Sequence, residues 1–240
     1  MRRLTYDELK GGQYIFSYDI VKYDFEGIIK KIFNHWDGPL SSIHIHSERT
    51  IQPIERSLDT QTIFHRKFYD SPHYDEFIEL YYRFVREVVL PLFDSTESKF
   101  VVQKDAAFRV NPPNGSALGF RSNDPDGKIG FHCDGDYNHQ AGEINFILTL
   151  SGQSGNNSCY IETSPGSNDY NAADINYGQF ISFYGNKCRH YNKVNDTGMS
   201  RLSIDFRVMP MSKYDPTYSL KSVTKEKRFV IGDYYTVITL

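Results

Sequence analysis

Five side chains in the C-terminal half of the chain have types and spacings suited to chemistry. They are His132 and Asp134 within Phe131-His132-Cys133-Asp134-Gly135, then His190, then Arg201 and Ser203. Two imidazoles and one carboxylate on one face of an ion hold Fe(II) while leaving positions open for reactants, which is what oxygen chemistry requires. The same donors also build catalytic zinc sites with a bound water.

Spacing decides which His-x-Asp pair can grip one ion. On extended chain residues i and i+2 project from the same face, whereas on a helix they diverge by about 200°. The chain holds three such pairs. His35-Trp36-Asp37 closes a segment, Asp24 to Trp36, whose Phe25, Ile28, Ile29, Ile32 and Phe33 recur at helical spacing. His73-Tyr74-Asp75 opens a second helix, with Ser71 as N-cap, Pro72 as first helical residue and a stripe of Phe77, Leu80, Tyr81, Phe84, Val88 and Leu92. Pro91 should end or kink it. Both pairs therefore diverge. His132 instead follows the turn Asp124-Pro125-Asp126-Gly127 and lies between the strand-like runs Ala117 to Arg121 and Ile144 to Leu150, so it enters on extended chain. His190 comes 56 residues after Asp134, behind the run Gln179 to Tyr184 and the turn Gly185-Asn186, a separation that suits distant strands of one barrel.

From Lys99 onward, short β-rich runs recur at near-regular intervals: Phe100 to Gln103, Ala107 to Val110, Ala117 to Arg121, Ile144 to Leu150, Cys159 to Glu162, Gln179 to Tyr184 and Arg201 to Val208. This rhythm predicts an antiparallel sandwich or barrel. The first hundred residues look mixed, with a strand Gln13 to Tyr18, the two helices and a strand-like Ile43-His44-Ile45-His46. The tail reads as a hairpin, Arg228 to Ile231 and Tyr234 to Leu240 across Gly232-Asp233, packing on the core or on a second subunit in a homodimer.

With these residues in place, the chain resembles the Fe(II)/2-oxoglutarate-dependent dioxygenase superfamily. That superfamily's iron motif runs His-x-Asp, a long gap, His, and about ten residues later an Arg; Arg201 lies 11 after His190. Its Arg-x-Ser element matches Arg201-Leu202-Ser203. The segments Gly142 to Phe146, Tyr160 to Gly166 and Phe183 to Val208 look like proteins of streptomycin-type biosynthetic clusters and their phytanoyl-CoA-dioxygenase-like relatives. The resemblance covers roughly residues 100 to 210. It implies a double-stranded β-helix (jelly roll, cupin-like) core in a mainly β protein with flanking helices. It further implies Fe(II) on His132, Asp134 and His190, with 2-oxoglutarate and O2 as cosubstrates. Arg201 and Ser203 would hold the far carboxylate of 2-oxoglutarate, a guanidinium fork and a hydroxyl suiting that group, and Asn145 would touch the cosubstrate.

The chain then divides into N-terminal elements over 1–98 packing on the core, a catalytic jelly roll over 99–215 and a C-terminal hairpin or arm over 216–240, all one domain. At 240 residues one core suffices. A net charge of −3 gives no basic footprint for nucleic acid, and Lys225-Glu226-Lys227-Arg228 reads as a solvated turn. Three cysteines, Cys133, Cys159 and Cys188, without C-x-x-C spacing disfavour a disulfide framework and fit a reducing cytoplasm. No apolar h-region follows Arg2-Arg3 and no run of eighteen apolar residues occurs, so neither export nor membrane insertion is expected. Arg109 and Gln103 lie on strands that border the pocket. His44 and His46 alternate without a matching carboxylate, and His139 follows the iron motif in a loop.

The expected function is oxidation, hydroxylation by default, of a C–H bond in a polar small molecule such as a sugar, amino sugar or amino-acid derivative, with release of succinate and CO2. A cupin-like carbohydrate-binding or isomerising protein and a zinc hydrolase are the alternatives.

Overall fold

The computed structural model describes residues 2–46, 63–115, 127–223 and 227–240. The expected strand Ala117 to Arg121, residues Asp124 to Asp126 of the expected turn, and Lys225 and Glu226 lie outside them.

Among the described residues, four α-helices lie in the first ninety positions. α1 (Tyr6–Gly11) is started by a capping box in which the Thr5 hydroxyl accepts from the Glu8 backbone N–H and the Glu8 carboxylate accepts from that of Thr5. α2 (Phe25–Ile32) is capped by Asp24 and buries Phe25, Ile29 and Ile32. α3 (Ile63–Tyr69) and α4 (Tyr74–Phe84) follow, and α4 continues through a π turn (Val85–Val89) into a final 3-10 turn (Leu90–Leu92) that contains Pro91, so the helix ends within a residue of that proline. Ser71 lies just outside α4, its hydroxyl accepting from the His73 N–H and its carbonyl from that of Tyr74. Ile43 to His46, expected as a strand, instead falls within a 3-10 helix, Leu40–His46, that buries Leu40 and Ile43. Side chains at i and i+3 eclipse in that geometry, and this pair outweighs the alternation of Ile43 to His46.

The strands are β1 (Tyr14–Ser17), β2 (Lys99–Gln103), β3 (Ala107–Asn111), β4 (Ile129–His132), β5 (Ile144–Thr149), β6 (Cys159–Glu162), β7 (Tyr170–Ala172), β8 (Gln179–Phe183), β9 (His190–Asn192), β10 (Arg201–Pro210) and β11 (Tyr235–Thr239). They form two antiparallel sheets. The larger runs β1-β8-β5-β10-β2-β11, with β3 also on β10, and the smaller runs β4-β9-β6-β7. Long β10 pairs with β3 through its first half and with β2 through its last three residues. The tail contributes one edge strand, β11 on β2, while Arg228 and Ile231 make only isolated bridges.

The large sheet is buried on both faces. Alternation along β10 sends Leu202, Ile204, Phe206 and Val208 outward, where they join Phe146 and Phe180 beneath the helices in one apolar core. Tyr81 meets Phe206 at 5.2 Å between ring centroids, Phe84 meets Phe180 at 5.3 Å, and Phe68 stacks on Phe108 at 4.2 Å. The other face carries Arg201, Ser203, Asp205 and Arg207 toward the small sheet, and residues from both sheets line one pocket between them. Two facing antiparallel sheets around a polar interior, with helices on the outside of one, make the double-stranded β-helix. No helix among the described residues is long and apolar enough to cross a membrane.

Because Phe68 and Phe108 fix the helical layer to β3, Phe108→Ala should destabilise the protein by about 3–5 kcal/mol in chemical denaturation. The outward-facing Val21, which is largely exposed, should tolerate alanine within about 0.5 kcal/mol.

Candidate metal centre

His132 ends β4, Cys133 continues extended (φ −114°, ψ 157°), and Asp134 opens a 3-10 turn. One extended residue between them leaves the imidazole and the carboxylate on the same side. The second imidazole arrives by a short route: β4 pairs antiparallel with β9, and His190 stands directly opposite His132. The two histidines are thus neighbours on adjacent strands, and the 56 intervening residues are a long excursion through both sheets. Their ring centroids lie 4.3 Å apart.

Each imidazole is oriented by a backbone carbonyl at Nδ1, Gly130 O for His132 at 2.5 Å and Cys188 O for His190 at 3.1 Å. Both Nε2 atoms therefore face Asp134, whose Oδ1 lies 3.6 Å from that of His132 and 3.5 Å from that of His190. Carbonyl contacts at the outer nitrogen set the tautomer that a metal-binding histidine needs. Donor atoms of the three residues all fall within 4.8 Å of one another.

The other carboxylate oxygen is fully engaged. Asp134 Oδ2 accepts from Asn145 Nδ2 at 2.6 Å, from Arg207 Nε at 3.0 Å and from Arg207 Nη2 at 2.9 Å. Burial alone would raise the Asp134 pKa, but the Arg207 charge, helped by the histidines, overrides it and holds the carboxyl well below the usual carboxylate range. Burial, followed by repulsion from His132, lowers the pKa of His190 to about 4 and keeps it neutral at pH 7. A neutral His190 beside an ionised carboxylate leaves both groups ready for a divalent cation.

Behind the ligands the turn at Gly185 is packed too tightly for a side chain. Gly185 O accepts from the Asp134 N–H at 2.8 Å, and a Cβ at Gly185 would lie 2.4 Å from the Asn145 amide nitrogen. Asp134, His139 and Glu143 also bring donor atoms together. There, however, His139 Nδ1 is engaged with Glu143 Oε2 at 2.8 Å, the other Glu143 oxygen accepts from the Tyr235 hydroxyl, and the Arg207 charge acts on Glu143. A second cation in that group would meet the guanidinium field.

The remaining predicted residues fall as follows. Arg201 is 4% exposed; its Nη1 donates to Asn157 O at 3.0 Å and its Nη2 to Asn192 Oδ1 at 2.9 Å, while Nε is buried with no acceptor. It forms no ion pair among the described residues, and burial lowers its pKa. Ser203 lines the same pocket on the same strand face, with Arg109 across from it on β3. Asn145, expected at the cosubstrate, has its amide nitrogen on Asp134. Gln103 Oε1 accepts from Arg207 Nη1 at 3.1 Å. His139 packs on Phe229, His44 meets the Ser200 hydroxyl, and the His46 side chain lies outside the described residues. His73 pairs with Glu76, and His35 takes a left-handed φ of 58° beyond α2, so neither rival pair gathers ligands.

Arg207 and Asp205 were not singled out by sequence reasoning. Their signal was the strict alternation Arg201-x-Ser203-x-Asp205-x-Arg207, which places all four on one face of β10. Asp205 joins Arg109 and Arg207, with Arg109 Nε on its Oδ1 at 2.7 Å and Arg207 Nη1 on its Oδ2 at 2.7 Å. Burial acts to raise the Asp205 pKa, but these two arginines bring it down to about 2.

Fold and site together define a class, a jelly-roll protein with a facial His-Asp-His centre between its two sheets. Within it, the chain is 27% identical over 223 residues to "Streptomycin biosynthesis protein StrG" of Streptomyces griseus, covering 92% of this chain and 96% of that protein. The likeness drawn to streptomycin-cluster proteins thus reaches beyond residues 100 to 210 into the N-terminal part of the chain. No family model matches the chain. Among solved structures, it is similar to the non-heme alpha ketoglutarate dependent epimerase SnoN from nogalamycin biosynthesis (TM-score 0.45, 10% identity, 95% of this chain and 94% of that one). CytC3 with Fe(II) and alpha-ketoglutarate is also similar (TM-score 0.43, 11% identity, 87% and 78%).

The contacts separate ligand loss from structural loss. His132→Ala should abolish divalent-metal uptake, measured by equilibrium dialysis, at little cost in stability. Asp134→Ala should abolish uptake and also destabilise the fold by about 3–5 kcal/mol, because it strands the buried Arg207 charge.

Proposed function

We propose that the protein is an Fe(II)/2-oxoglutarate-dependent oxygenase acting on a C–H bond of a polar small molecule in a biosynthetic pathway. The observation that carries this reading is one pocket that joins His132 and His190 of the His132-Asp134-His190 group to a buried cation, Arg201, whose Nε has no acceptor and which has no carboxylate partner among the described residues. A buried charge without a counterion is costly. A dicarboxylate lying between metal and guanidinium would supply the missing anion.

In this reading His132 and His190 each present Nε2 and Asp134 presents Oδ1 to Fe(II). When bound, the iron and 2-oxoglutarate supply reductive activation of dioxygen coupled to decarboxylation of 2-oxoglutarate to succinate and CO2. Arg201 receives the far carboxylate on its Nε edge, held in plane by Asn157 O and Asn192 Oδ1, and Ser203 adds a hydroxyl on the same side. Ile147 and Phe183 give the pocket dry walls. Positioning of one C–H of the substrate then determines whether hydroxylation or another oxidation results. A zinc hydrolase would have no use for the buried cation. The similarity to a streptomycin biosynthesis protein supports a sugar, amino sugar or amino-acid derivative as substrate class.

Oxygen-free protein loaded with Fe(II) and 2-oxoglutarate should show a visible metal-to-ligand charge-transfer band, and admission of oxygen should yield succinate. Arg201→Ala should weaken 2-oxoglutarate binding by about 2–5 kcal/mol, or ~30-fold and more, with Fe(II) uptake retained. If wild-type protein gives neither band nor succinate with any candidate substrate, the oxygenase reading is wrong.

A further inference from the structure

We infer that Arg207 and Asn145 are positioning residues that restrict Asp134 to a single ligating oxygen. This rests on the metal reading above and extends it to two residues outside the ligand set. The three N–H groups directed at Asp134 Oδ2 outnumber the lone pairs of one oxygen. Oδ1 alone is left toward the two Nε2 atoms.

The donors are themselves immobilised. Arg207 Nη1 is held by Gln103 Oε1 and Asp205 Oδ2, and Asp205 is held in turn by Arg109, so a file of alternating charges fixes the guanidinium from behind. Asn145 is confined against the backbone of Gly185, where no Cβ intervenes. For Asp134 to chelate through both oxygens, Oδ2 would have to leave these partners and strand a buried arginine.

Two consequences follow for the bound ion. A one-oxygen carboxylate with two imidazoles occupies three positions and leaves three, enough for a chelating dicarboxylate and dioxygen together, whereas a two-oxygen carboxylate would take one of them. The guanidinium also draws charge from the carboxylate, which keeps the metal more electrophilic.

The test uses the full-length chain, oxygen-free, titrated with Co(II) as a spectroscopic probe. Arg207→Met should weaken Co(II) binding by ~10–100-fold, the usual effect of removing an outer partner of a metal ligand. It should also alter the visible d–d bands as the freed carboxylate adds its second oxygen. Arg207→Lys, which keeps the charge but not the fork, should fail to restore the wild-type spectrum. Should Arg207→Met not fold, Asn145→Ala decides, with a several-fold loss of affinity and a band shift in the same direction. Folded variants at both positions with wild-type affinity and spectrum would overturn the inference while leaving the metal reading intact. A wild-type chain that takes up no Co(II) would overturn the metal reading and this inference with it.

Discussion

The centre depends on one buried ion pair, Arg207 on Asp134. Isolated, either charge would be untenable at its depth in the barrel, and desolvation penalises both. Together they give a carboxylate that stays ionised, is aimed in one direction and has one oxygen free. The remaining polar lining arranges itself around that pair: Asp205 balances the outer edge of Arg207, Arg109 balances Asp205, and Arg201 alone keeps its charge without a carboxylate partner among the described residues. A pocket in which all but one buried cation is neutralised in place carries a preference for an anion at one spot.

This organisation comes from the period of a β-strand. β10 is ten residues long, and its two faces do separate work. One face is an apolar layer that seats α3, α4 and their neighbours, and the other is a row of charged and polar groups inside the barrel. The aromatic contacts on the outer face hold the sheet rigid, and that rigidity lets the inner face keep ångström-level geometry. The N-terminal helices, remote from the ligands, thus support the site by covering the back of the sheet that aims Arg207 and Asn145.

Much of this was legible from residue order alone. His132-x-Asp134 on extended chain declared a shared face, and the two decoy pairs betrayed themselves by helical periodicity or by lying beyond a helix end. The β rhythm after Lys99 predicted β2, β3, β5, β6, β8 and β10 to within a residue or two, while the three- and four-residue strands β4, β7 and β9 were not among its runs and Ala117 to Arg121 lies outside the described residues. Three features were not legible. That His190 stands opposite His132 is a matter of strand pairing, which spacing along the chain does not encode. Arg207 looked like any strand arginine, because its partner lies 73 positions away. At Leu40–His46 a period of two in the last four residues competed with a period of three over the buried ones, and burial decided.

The placement of the ligands has a mechanical side. Both imidazoles sit on the small sheet, whose strands are three or four residues long, while the carboxylate between them is tethered to the large sheet through Asn145 and Arg207. An ion held by all three would act as a rivet through the two layers, joining short strands that have few hydrogen bonds of their own to the rigid half of the barrel. Occupancy would then protect the small sheet from opening, since binding to the folded state alone adds directly to stability. The emptied barrel should be most vulnerable to proteases at the turns joining those short strands.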